Sequence, residues 1–118
     1  MGGRTLAALA PLAALLAACG SSGPRVARAD AAPLIRLSTR IAGEAPCAQA
    51  RDVRRLQQQA VALVNAHRVP ADLLEPFMSG VNALAAQAPA CRPGRSAPDH
   101  ATSTRARGLS AWLDGHSG

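Results

Sequence analysis

Three cysteines, three histidines and seven carboxylates are the side chains of this 118-residue chain that could do chemistry, and their spacing limits what that chemistry is. Cys19 closes an apolar Ala/Leu run, while Cys47 and Cys91 stand far down the chain. A thiol can serve as a nucleophile, a metal ligand, half of a disulfide or the acceptor of a thioether-linked lipid. His67, His100 and His116 are dispersed, and the acidic residues are scattered rather than paired. There is no HExxH, no glycine-rich phosphate loop and no serine placed with a base. The pattern argues against an enzyme and implies neither a cofactor nor a metal site.

The formal net charge is +6, but every one of the 13 basic residues is arginine and about a quarter of the chain is alanine. That balance reads first as GC-rich codon usage. With one Phe, one Trp and no Tyr, few side chains bury much area each, so a domain this small needs a crosslink as well as a core.

Met1 to Arg4 is a short basic leader, followed by the uncharged run Leu6 to Ala18. Its length suits the apolar region of a signal peptide and falls short of the ~20 residues that span a bilayer. The run ends in Leu16-Ala17-Ala18-Cys19, with the small, flexible Gly20-Ser21-Ser22 behind it. These residues resemble the lipobox of bacterial lipoprotein precursors. The resemblance implies a diacylglyceryl thioether on Cys19, cleavage just before it, and attachment to the extracytoplasmic face of the cell membrane. A plain secretory signal cut elsewhere is the competing reading.

Export places the chain where disulfides persist, and if Cys19 carries lipid, two thiols remain. Between them Val53, Leu56, Ala60, Leu63 and Val64 share one helical arc opposite Arg51, Arg54, Arg55, Gln58 and Asn65. Leu74, Phe77, Met78, Val81, Leu84, Ala85 and Ala88 share a second. The spacing predicts helices over about 46–67, with Pro46 suited to the first turn, and 70–88, perturbed at Pro76. The short link at His67 to Pro70 forces an antiparallel pair. Cys47 and Cys91 lie almost equally far from that turn, so both thiols reach the open end of the hairpin and can form a disulfide there. His67 would sit ~30 Å away at the other end, too far to share a metal with them.

The expected architecture is therefore all-α: a small, disulfide-closed antiparallel helical hairpin over 46–91 with flexible flanks. Residues 1–18 are the signal peptide and 19–45 a lipid-anchored tether. Within that tether 34–41 fits either a strand, by alternation of Ile35, Leu37, Thr39 and Ile41, or a short helix. Arg25, Arg28, Arg36 and Arg40 could contact anionic headgroups there, or simply be solvated. Residues 92–107 read as a disordered spacer, and 108–118 as a short amphipathic segment. In that segment Leu109, Trp112 and Leu113 form an apolar edge, either as a short third helix across the hairpin or as a contact for a partner or the membrane interface.

Over roughly residues 46–114 the pattern is similar to small extracytoplasmic helical proteins of GC-rich actinobacteria, a resemblance that brings no activity with it. The two resemblances together imply a lipid-anchored, non-enzymatic envelope interaction or structural module, with the membrane and an envelope protein as partners. A helix-turn-helix reading of this basic chain fails on its second helix: Val69 to Cys91 holds Asp72 and Glu75 but no arginine or lysine, so nucleic acid is not expected as a partner.

Overall fold

A computed structural model describes residues 23–118; the leader and Cys19 lie outside the described residues. Among the described residues four helices follow one another: α1 (Arg28–Gly43), α2 (Pro46–Asn65), α3 (Ala71–Gln87) and α4 (His100–Gly115). The start of α2 follows from its sequence, because extended Ala45 leads into Pro46, whose missing amide costs nothing in the first turn. The helix ends in a tight reversal. Arg68 N–H donates to Leu63 C=O and His67 N–H to Val64 C=O, with His67 in the left-handed region at φ 57°. Val69 then turns inward and is buried.

Two helices carry an internal proline, Pro33 in α1 and Pro76 in α3. Each removes one helical donor, leaving the carbonyl four residues earlier without its partner. Both prolines, and the Ala29 and Asp72 carbonyl positions they orphan, lie on exposed residues, so water can take the bond. The α4 helix begins at Asp99, whose side chain accepts from Thr102 N–H at 3.0 Å, an N-cap that satisfies one of the free first-turn amides.

Each helix packs chiefly on its two neighbours in the order α1, α2, α3, α4 and back to α1, most extensively between α1 and α4. All four pairs are antiparallel. Asp30 at the start of α1 pairs with Arg68 beyond the end of α2, Cys47 joins Cys91, and Thr39 of α1 meets Ser110 of α4. The result is an up-down-up-down four-helix bundle. The chain ends close it: Val26 N–H donates to His116 C=O at 2.8 Å and Gly118 N–H to Val26 C=O at 3.1 Å.

The all-α class and the Cys47–Cys91 disulfide stand as expected, with the cysteine Cα atoms 4.2 Å apart. The flanks are corrected. Residues 28–43 form α1 and belong to the core instead of forming a flexible tether, and 34–41 is helical. The spacer ends at Asp99, and the expected short segment around Trp112 is the latter half of the 16-residue α4. The inward arc of α3 stands at Phe77, Val81 and Leu84, which are buried, and at Met78, Ala85 and Ala88, which pack against the core; it is corrected only at its first position, where Leu73 is buried and Leu74 stays 38% exposed.

The core joins all four helices. Leu34, Leu37 and Ile41 of α1 meet Val53 and Leu56 of α2, the buried face of α3, and Leu109 and Leu113 of α4. Small side chains line the closest seam: Ala31, Ser38 and Ala42 from α1, and Ser103 and Ala106 from α4, are all buried. Little side-chain volume there lets the two backbones approach.

Candidate functional site

The disulfide end of the bundle carries a buried polar network that the sequence did not single out. Gln49, with no exposed surface, lies one turn into α2 on the same face as Val53 and Leu56. Its amide nitrogen donates to Ile41 C=O at 3.0 Å and to Ser103 Oγ at 3.1 Å, and its oxygen accepts from Asp99 N–H at 3.0 Å. Ser103 Oγ in turn donates to Ala42 C=O at 2.7 Å. Thr102 Oγ1 lies 3.0 Å from Gln87 C=O and 2.7 Å from Asp99 Oδ2. These contacts tie the end of α1, the start of α2, the end of α3 and the start of α4 to one point, beside the disulfide. Thr102's hydrogen bonds hold the Asp99 carboxyl below its ordinary range. The only sequence signal was a glutamine on an apolar stripe.

A second polar group lies at the α1–α2 corner. Asp52 has a side chain only 1% exposed, with Arg51 Nε at 3.2 Å and Arg40 Nε at 3.5 Å. Arg40 Nε also lies 3.0 Å from Glu44 Oε1. Glu44 Oε2 and Asp52 Oδ2 are both buried without a hydrogen-bond donor. A single proton between the two carboxyls would supply one, and their environments divide the roles. Burial, then the neighbouring Asp52, raises the pKa of Glu44. For Asp52, burial pushes upward, but hydrogen bonds from Arg51 and Glu44 and the charges of Arg51 and Arg40 together bring it below the ordinary value.

The pH dependence follows from those directions. Stability contributed by a protonated Glu44 is fully present below its ordinary value of 4.5 and is lost as pH rises through its raised value. Asp52 contributes above its ordinary 3.8 and loses that contribution as pH falls through its lowered value. Glu44→Gln keeps a donor at this place and removes the titration. We expect its melting temperature to stay level from about pH 4.5 toward neutral, where the unsubstituted protein declines. Parallel melting curves for the two proteins across that range would refute the shared proton.

Of the arginines read as headgroup contacts, Arg25 donates through Nη1 to the carbonyls of Gly115 and Ser117, at 3.4 and 3.3 Å, and so helps clasp the two chain ends. Arg40 pairs with Glu44 and Asp52, whereas Arg28 and Arg36 lie exposed with no acidic partner among the described residues. Leu109 and Leu113 are in the core, and Trp112 is half-buried, stacked between Phe77 at 6.1 Å and His116 at 4.4 Å between ring centroids. His116 Nδ1 lies 2.7 Å from Trp112 C=O. The structure thus brings the apolar C-terminal residues together with α3, at the end of the bundle opposite the disulfide.

Two clefts open on the surface. One, of about 560 Å³, lies at the disulfide end between the 88–99 loop and the starts of α2 and α4, with Arg92, Arg95, Ser96 and His100 among its walls. The other, of about 260 Å³, is a mainly apolar groove between α1 and α2, walled by Ala29, Asp30, Pro33, Leu34, Gln59, Ala62 and Leu63. Among the described residues no three metal-ligating side chains converge, and no helix is long and apolar enough to cross a membrane. No family model, no curated protein and no solved structure matches the chain.

Proposed function

We propose that the protein is a lipid-anchored extracytoplasmic module, held to the membrane through Cys19, that acts by contact with other envelope components and not by catalysis. The observation that supports this reading is the distribution of the thiols. Cys47 and Cys91 form the disulfide, and the third cysteine stands at the end of the Leu16-Ala17-Ala18-Cys19 segment. A cystine suits an oxidising compartment, and a thioether at Cys19 leaves no unpaired thiol there.

The fold changes what such an anchor does. Val26 is already hydrogen-bonded into the bundle, so only seven steps of chain separate Cys19 from the folded body. At ~3.5 Å per residue that is a reach of about 25 Å at most, roughly the length of one of the bundle's helices. The bundle is thereby confined to the membrane surface, with its four-helix body as the contact surface.

Intact-mass measurement of protein extracted from membranes tests the reading. The expected species begins at Cys19, carries acyl chains and is two mass units lighter than its reduced form. Cys19→Ala should appear as uncleaved precursor or be released from the membrane. A mature chain cut elsewhere with an unmodified Cys19 would refute the anchor and favour secretion.

A further inference from the structure

We propose that the outer face of α1 and α2 is a docking surface for anionic phospholipid, on which the bundle lies with these two helices against the headgroups; the proposal rests on the membrane location argued above. Arg40 and Arg51 converge from the two helices on the buried Asp52. One turn further along α1 stands Arg36, and one turn further along α2 stands Arg55. Because the helices are antiparallel, both steps run toward the same end of the bundle. Four guanidinium groups therefore form two short parallel rows across one seam. Arg36 and Arg55 are exposed and have no acidic partner among the described residues.

Carboxylates do not cancel this face from outside. Glu44 and Asp52 lie beneath it, and Asp30, on the wall of the groove, is paired with Arg68 at 2.9 Å. Charge is uneven across the bundle: α3, diagonally opposite α1, carries Asp72 and Glu75 and no basic residue, and only α4 adds arginines, Arg105 and Arg107, on that side. An anionic plane would attract the α1–α2 face more strongly than the α3 face. Each arginine near such a surface strengthens binding about fivefold.

The seam also has an apolar part. Beyond Arg36 and Arg55, toward the start of α1, the groove of about 260 Å³ opens between Ala29, Pro33 and Leu34 on one side and Ala62 and Leu63 on the other, with Gln59 and the Arg68-paired Asp30 also in its walls. Arginines beside an exposed apolar groove match the headgroup and upper acyl region of a bilayer, whereas an aqueous polyanion matches the arginines alone. The anchor reaches this end of the face: Cys19 is four residues from Gly23, a span of at most ~14 Å, and the groove begins in the first turn of α1.

Sedimentation with vesicles tests the proposal, using the full chain carrying Cys19→Ser so that no acyl anchor holds it down. Vesicles of phosphatidylcholine alone and of phosphatidylcholine with phosphatidylglycerol are compared at one salt concentration; any insertion of the leader is common to all variants. Binding should favour the phosphatidylglycerol vesicles, and R36Q/R55Q should reduce that preference about 25-fold without lowering the melting temperature. R36K/R55K, which keeps the charge, should restore it. R105Q/R107Q removes the same charge from α4 and should leave the preference intact. Equal losses in the two glutamine pairs, no preference for phosphatidylglycerol, or displacement by stoichiometric duplex DNA would each overturn the docking face. None of these outcomes depends on whether Cys19 is acylated, which the mass measurement decides separately.

Discussion

Replacing both Cys47 and Cys91 with alanine should lower the unfolding free energy by about 4 kcal/mol, read from urea denaturation followed by helical circular dichroism. The bridge spans 44 positions, enclosing nearly all of α2 and α3, and the chain-entropy relation for a loop of this length yields that figure. The effect belongs to the unfolded chain, because the native ends stay located without the bridge. Gln49 still holds the start of α2 to Ile41 C=O and Asp99 N–H, and Thr102 Oγ1 still reaches Gln87 C=O at the end of α3. The reduced or substituted protein should therefore keep its helix content at low denaturant and unfold at a much lower midpoint. For a domain whose whole stability is ordinarily about 5–15 kcal/mol, a loss of this size is a large share. A drop below about 1 kcal/mol would mean that the unfolded chain is already compact at this point, or that the bridge strains the native end.

Phe77→Ala should cost about 3–5 kcal/mol, against less than about 1 kcal/mol for Leu74→Ala. Phe77 is the only phenylalanine in the chain, the largest fully buried side chain, and is 1% exposed. Its ring faces Trp112 across the α3–α4 contact. Truncation removes this contact and leaves a cavity that helices closed by a disulfide at one end and by Val26 at the other cannot readily collapse. Leu74, three residues before it, is 38% exposed and loses little. Denaturation of the two variants, with Trp112 fluorescence as a local reporter, fixes the register of α3. Equal costs at the two positions would mean that the inner face of α3 extends to Leu74.

The Phe77 prediction and the disulfide prediction reach opposite ends of the bundle, and the sequence was informative about them to different degrees. The apolar arc of α2, its start at Pro46, the reversal near His67 and the pairing of Cys47 with Cys91 all follow from local rules: 3.6-residue periodicity, proline's missing donor, and equal chain lengths on either side of a turn. Even there, the first position of the α3 arc fell on Leu74 where Leu73 is the buried one, because the two leucines are equally apolar and only the packed bundle chooses between them.

What the amino-acid sequence by itself determined was the helical class, the two central helices and the crosslink, each set by large side chains or by covalent chemistry. The tertiary structure alone decided that α1 and α4 exist as core helices. Their shared seam is built from Ala31, Ser38, Ala42, Ser103 and Ala106, side chains too small or too polar to register as an apolar stripe, and Pro33 disguises α1 further. Their burial becomes favourable only when the two helices meet, since close backbone approach needs small residues on both sides and the hydroxyl of Ser103 needs the Ala42 carbonyl from across the seam. The same holds for Gln49 and for the Glu44–Asp52 corner. Burial of a polar side chain is favourable where its partners converge, and here those partners come from segments up to 61 residues away, which no window along the sequence contains.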